Sequence, residues 1–237
     1  MQSEYRKSKK TFIISVLILS ALIVILFFVS MSVGRYRIPF SDVIKYFTGQ
    51  TIPELSTRVI TYLRLPRTLL AALVGCALAV SGAIYQSAFN NKLVSPDLLG
   101  VSSGASVGAC FAILLGLSGV FISLFSFAMG FIAVILTVLI AKIFKNKSNV
   151  VLLLSGIAVG GLMSSGVGLM KYLADDEMKL AEMTYWLLGD LSGTTMKEVW
   201  IMLPIVVASC VVTVLTSWRG NIVSLGAKES KALGVNY

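Results

Sequence analysis

The chain reads as an all-α membrane protein, a polytopic bundle of transmembrane helices, on two observations. Apolar residues make up 57% of the 237 positions, charged residues only 13%, and mean hydropathy is +0.89; soluble domains carry about 25% charged residues. Six apolar runs, at 11–33, 67–85, 94–115, 120–143, 150–172 and 199–218, are each about long enough to cross a hydrocarbon core of ~30 Å, which takes ~20 helical residues. Six spans are therefore predicted, in one transmembrane domain over residues 1–237.

The first run follows Arg6, Lys7, Lys9 and Lys10. It is too long, and too poor in small residues for a cleavage site, to suit a signal peptide, so it is read as a retained helix with residues 1–10 in the cytoplasm. Six spans then place residues 90–93, 142–149 and 219–237 on the same side. That side holds 11 of the 20 Lys and Arg, while 8 of the 11 acids fall outside, leaving about +8 inside and +1 outside. The net charge of +9 is thus an orientation signal and gives no support to nucleic-acid binding.

At the outer end of the second run Arg64 and Arg67 flank Pro66, a proline placed where the first helical turn tolerates a missing N–H. Two arginines there either snorkel to headgroups or dock a partner's carboxylates, which the guanidinium fork matches. Ala71, Gly75, Ala79 and Ala83 follow at intervals of four, a face that admits a close neighbour helix. Gln86, Phe89, Asn90, Asn91 and Lys92 end this helix, and such amides line a wet constriction or cap a helix and meet water.

Ser95, Pro96 and Asp97 form a helix-start signature of hydroxyl cap, first-turn proline and acid at the positive dipole end. The third run is then slender, with Gly100, Ser102, Ser103, Gly104, Ala105, Ser106, Gly108 and Ala109, and must lie against protein. The fourth run is a plain span. The fifth carries Gly156, Gly160, Ser164 and Gly168 at intervals of four, the face of a tight helix seam or the wall of a solute path. Met163 and Met170 beside them read as packing.

Residues 174–190 hold Asp175, Asp176, Glu177 and Glu182, then Trp186-Leu187-Leu188-Gly189, and are read as an amphipathic outer loop ending in an aromatic interface anchor. The sixth run leads into a soluble tail, 219–237. There Ser224-Leu225-Gly226 precedes a short helical stretch stopped by Gly234. Glycines on both sides of a two-turn helix make a compact knob, read as an element that docks in a partner's groove.

Cys76, Cys110 and Cys210 sit in apolar runs without metal-ligand spacing, so they read as small hydrophobes and no disulfide framework is expected. Histidine is absent; with it go the commonest general base and the commonest metal ligand. No phosphate-binding Gly-x-x-x-x-Gly-Lys-Ser/Thr loop occurs. No catalytic residue, metal or cofactor is therefore assigned, and ATP hydrolysis would have to come from another polypeptide. Paired intramembrane carboxylates and a sizeable soluble domain are missing too, which argues against a membrane enzyme or receptor.

Several stretches together resemble the FecCD family, permease subunits of type II ATP-binding-cassette importers for ferric siderophores, haem and cobalamin. They are Arg64-Leu65-Pro66-Arg67; Gly75 through Ala79-Val80-Ser81-Gly82 to Gln86; Asn91 with Leu93; and Ser95-Pro96-Asp97-Leu98-Leu99-Gly100-Val101-Ser102-Ser103-Gly104-Ala105. Further matches are Leu154-Ser155-Gly156-Ile157-Ala158-Val159, Trp186-Leu187-Leu188-Gly189, and Asn221 with Leu225-Gly226 and Ala232-Leu233-Gly234-Val235. The resemblance spans nearly the whole chain.

It implies a permease in the cytoplasmic membrane that carries an iron chelate. Its partners would be a separate ABC ATPase, an extracellular substrate-binding lipoprotein or periplasmic protein, a second permease subunit and the lipid bilayer. Arg64 and Arg67 would meet glutamates of the binding protein. Asn91 and Leu93 would form part of a cytoplasmic gate, with the 145–149 loop near its other part. Ser224, Leu225, Gly226, Ala232, Leu233 and Gly234 would couple to the ATPase.

Lys92 stands where the family usually has proline, which frees the backbone there and adds a charge. Family members run to about ten helices. The chain is accordingly expected to be a fragment of a longer permease or a truncated copy, and the alternative to a transporting permease is a truncated fragment that associates with a full-length permease without transporting.

Overall fold

A computed structural model describes residues 2–144 and 149–223, and among these every regular element is helical. Nine α-helices occur in order: α1 Gln2–Ser32, α2 Phe40–Phe47, α3 Glu54–Arg58, α4 Leu65–Phe89, α5 Val101–Leu114, α6 Val120–Ile143, α7 Asn149–Tyr172, α8 Glu177–Leu188 and α9 Met196–Val223. The described residues divide into two compact units, 2–75 with 191–206, and 76–144 and 149–190 with 207–223.

In the first unit, α1 leaves Leu17, Leu22, Ile23, Ile25 and Leu26 exposed, the surface that an apolar solvent would cover. Its C-terminal end turns inward instead. Met31, Ile38, Val43 and Ile60 form a buried cluster that Phe27, Phe28, Tyr46 and Leu65 close. Pro39 precedes α2 with extended backbone, Thr48 caps it through Oγ1 to the carbonyls of Ile44 and Lys45 at 3.1 Å each, and Gly49 turns the chain at φ +75°.

The second apolar run is longer than expected. α3 continues through a π-helical stretch, Val59–Arg64, into α4, a continuous helix over Glu54–Phe89. Pro66 therefore lies within a helix and is buried. The wider π turn, in which the Leu65 N–H bonds the Ile60 carbonyl, falls immediately before the proline, where a normal α turn would set the pyrrolidine ring against the carbonyl four residues back.

In the second unit, α5, α6 and α7 pack closely together, with α8 laid against α5. The slender third run does lie against protein: Gly104, Val107, Gly108, Ala109, Cys110, Ala112 and Ile113 are buried. It is not one spanning helix, however, which corrects the expected count. Pro96–Leu99 is a 3-10 turn, Gly100 reverses the backbone at φ +76°, and α5 starts only at Val101. Fourteen residues rise ~21 Å, short of the ~30 Å core. Five helices among the described residues are long and apolar enough to span.

The hydroxyl cap expected at Ser95 does not form either. Because the turn is 3-10, its own backbone takes the bonds, Leu98 N–H to the Ser95 carbonyl at 3.2 Å and Gly100 N–H to that of Asp97 at 2.9 Å. The free carbonyl of Leu99 is met by Thr137 of α6, fully buried, whose Oγ1 donates at 3.0 Å. Thr137→Val keeps the shape and orphans that carbonyl, so a loss of about 1–3 kcal/mol is expected, read as a lowered unfolding midpoint in detergent, while Thr137→Ser retains most of the stability.

Residues 174–190, expected as a loop, contain α8 instead. Asp176 caps it, accepting from Met178 N–H at 2.9 Å. Met183, Trp186 and Leu187, spaced three and four apart on one face, enter the cluster of Ala109, Cys110, Ala112, Ile113 and Ile122. Lys179 Nζ donates to the Leu114 carbonyl at 2.9 Å and so closes the exposed C-terminal end of α5.

Candidate functional site

Three places gather the residues that carry chemistry. The first is a cleft in the first unit lined by Arg35, Arg64 and Arg67 together with Ser30, Tyr36 and Thr68. Among the described residues no acid lines it, so the guanidinium charge is unbalanced there. Its walls otherwise come from Val33, Gly34, Val59 and Leu63.

The two arginines of the Arg-Leu-Pro-Arg run are held differently. Arg64, half-buried, donates from Nη1 to the Met31 carbonyl and from Nη2 to that of Tyr36. It thereby ties the end of α1, which has carbonyls without helical partners, to the loop beyond. Gly34 gives the fork its room: a Cβ there would stand 2.8 Å from Nη2. Arg67, exposed, spends only Nε, on the Leu191 carbonyl at 3.2 Å.

Arg35, not singled out from the sequence, lines the same cleft. The signal was available in Gly34-Arg35-Tyr36-Arg37, a basic cluster directly after an apolar run.

The second place is the turn after α4. Asn90 takes a left-handed conformation at φ +46°, which asparagine tolerates. Asn91 donates its N–H to the Gln86 carbonyl at 3.1 Å and accepts from Leu93 N–H on Oδ1 at 2.9 Å, an Asx turn. The turn anchors on buried Val94 and pushes Leu93 out to 89% exposure. A leucine fixed in that position has no partner within the described fold and is available to close against something else. Asn149, at the start of α7, reaches the Ala88 carbonyl at 3.5 Å through Nδ2, so the start of α7 adjoins this turn.

The third place is the stripe on α7, which the structure divides. At Gly156 an added Cβ would lie 2.0 Å from the Leu98 carbonyl oxygen, at Gly160 it would meet Gly100 and Ser103 only at 3.8 Å, and Gly168 has nothing within 4 Å. Ser164 Oγ lies 3.4 Å from Ser103 Oγ. The stripe is thus a tight seam at Gly156, a looser hydroxyl-lined contact with α5 at Gly160 and Ser164, and open at Gly168.

Residues 145–148 and the tail with Ser224, Leu225, Gly226, Ala232, Leu233 and Gly234 lie outside the described residues. Among the described residues no group of three or more Cys, Asp or Glu is placed to hold a metal.

The sequence pattern of the FecCD transport family matches residues 22–237. The molybdate import system permease protein of Haemophilus influenzae is 36% identical over 92% of this chain and 66% of its own length. The hemin transport system permease protein of Yersinia pestis is 33% identical over 91% of this chain and 64% of its own. A solved structure described as an inward-facing conformation of a putative metal-chelate type ABC transporter superposes with a TM-score of 0.78 at 34% identity, covering 92% of this chain and 66% of that one. The chain spans about two thirds of the length of these relatives.

Proposed function

Because this chain belongs to the FecCD transport family, we propose that it is membrane-spanning permease sequence of an ABC importer. It would pass a ferric siderophore or similar iron chelate across the cytoplasmic membrane, powered by a separate ATPase subunit. The observation that carries the reading is the acid-free arginine cleft, a receptor for carboxylates, in a chain whose helices are otherwise built for lipid. The protein does no covalent chemistry in this reading.

Arg67 and Arg35 offer free fork N–H groups to acidic residues of a substrate-binding protein, and Arg64 adds charge while holding the cleft in shape. Asn91 and Leu93 form part of the cytoplasmic gate, Leu93 as the closing side chain. The seam from Gly156 to Ser164 keeps the helices close beside the solute path. Residues 225–234 dock in the ATPase, and a second permease subunit completes the path.

For the cargo, the metal-chelate description of the superposed structure supports the iron-chelate class, and the molybdate and hemin names of the relatives define the competitors. Uptake by a host lacking its own such permeases separates them, using labelled ferric hydroxamate, molybdate, hemin and cobalamin in turn. The chain is compared there with one extended by the last third of a relative. Uptake of ferric hydroxamate alone supports the reading; uptake of molybdate alone replaces the cargo. No uptake without the extension, together with co-purification on a full-length permease, favours the second reading of an associating fragment.

Coupling is tested separately. Deleting residues 225–234 is expected to reduce co-purification of the ABC ATPase at least tenfold, a change of ~1.4 kcal/mol or more in binding. Retention of the ATPase by the deleted chain would sink that assignment.

A further inference from the structure

Two of the three cysteines of the chain, 134 residues apart in sequence, meet in the fold: the Sγ atoms of Cys76 on α4 and Cys210 on α9 lie 3.6 Å apart. Both belong to the second unit. Their separation in sequence leaves their meeting unannounced by any spacing, and as isolated small hydrophobes they would have no reason to coincide. The third, Cys110, is buried in the separate cluster that α8 covers. No further Cys, Asp or Glu joins the pair to make a metal set among the described residues.

We propose that Cys76 and Cys210 are a reversible dithiol–disulfide site that staples α4 to α9 when oxidised. A disulfide needs its sulfurs at about 2.0 Å, so closure asks for an approach of roughly 1.5 Å, within the reach of a rotation about χ1 and a slight settling of two helices. Cys76 is exposed and Cys210 half-buried, so the pair is open on one side. It lies well inside both helices, twelve residues into α4 and fifteen into α9, at a depth that charged oxidants do not reach.

The oxidant is therefore of the neutral, lipid-soluble class, dioxygen. Each pair gives up two S–H bonds, two protons and two electrons as one S–S bond forms; two such pairs reduce one dioxygen to two waters. A small dithiol reductant reverses the step by exchange. The inference stands apart from the transport reading and rests on the thiol contact alone.

The test uses membranes containing the whole chain, treated with molecular iodine, a neutral lipid-soluble two-electron oxidant, then denatured in SDS and labelled with a 5 kDa maleimide-polyethylene glycol. Reduced protein carries three labels and oxidised protein one, with dithiothreitol restoring three. Oxidised Cys110→Ser falls from two labels to none. Cys76→Ser and Cys210→Ser each keep two. Retention of three labels by the oxidised chain would overturn the proposal. So would loss of both labels in either single variant, which would implicate Cys110, or a disulfide-linked dimer on a non-reducing gel. Protein unfolded in SDS before oxidation serves as reference, and the same loss there would show that the fold does not create the pair.

Discussion

Replacing Gly108 with alanine is expected to separate α5 from α6 and to cost on the order of 3 kcal/mol, with Gly156→Ala close behind. At Gly108 the added Cβ would stand 2.1 Å from the Phe125 carbonyl oxygen and 2.6 Å from its carbon. At Gly156 it would stand 2.0 Å from the Leu98 oxygen and 2.9 Å from Leu99 Cα. Both collisions are with backbone, which cannot swing aside like the end of a side chain, so a whole helix must shift. Overpacking of this kind costs about 1–3 kcal/mol even where side chains can yield.

Alanine favours a helix interior over glycine by about 1 kcal/mol, and this gain is far too small to offset the collision. At Gly82, Gly161 and Gly168 nothing lies within 4 Å of the added Cβ, and there the same substitution is expected to be neutral or slightly stabilising. The measurement is the fraction of each variant that stays monodisperse by size exclusion after graded heating in detergent. If Gly108→Ala and Gly161→Ala survived equally, the close approach of α5 and α6 would be refuted.

The contrast between Gly156 and Gly168 also marks how far the sequence could be read. Both sit on the same four-residue stripe, and spacing assigns them one face, yet one is pressed against the Leu98 carbonyl and the other faces open space. Periodicity identifies a face and is silent on what covers each turn of it. Long apolar runs were legible because a spanning helix needs many consecutive residues, which leaves a strong signal. α2 left none, since a short helix between spans has no such run, and the extension of α4 back through the π-helical stretch and α3 was hidden by Glu54, Arg58 and Arg64.

α5 was mistaken for a full span because hydropathy does not register the break at Gly100, where a left-handed φ ends one helix and begins another. α8 was hidden by Glu177, Lys179 and Glu182, although the spacing of Met183, Trp186 and Leu187 already had a helical face. Arg64, Arg67, Asn91 and Leu93 were legible as residue types. The Arg64 contacts with carbonyls 33 and 28 residues back in the chain were not, because backbone acceptors have no sequence signature.

Those contacts lead to the second large effect. Arg64→Ala is expected to lower stability by about 3 kcal/mol, since two charge-assisted bonds to carbonyls, each about 1.5–3 kcal/mol, are lost together and a new cavity opens beneath the loop after α1. The Met31 carbonyl belongs to the last turn of α1 and has no helical donor, so its loss of a cation also removes a favourable charge at the negative end of the helix dipole. Arg64→Lys should restore less than half of the deficit. An ammonium is a point donor, and it cannot reproduce a planar fork that reaches the Met31 and Tyr36 carbonyls at once. Arg67→Ala, which gives up one exposed bond to the Leu191 carbonyl, should cost under about 1 kcal/mol. Unfolding midpoints of the three variants in one detergent decide the matter. Equal midpoints for Arg64→Ala and Arg67→Ala would remove the bracing role and leave Arg64 as an ordinary docking cation. The expected order, Arg64→Ala lowest, then Arg64→Lys, then Arg67→Ala, would mean that one arginine of the run builds the cleft while the other is left free to fill it.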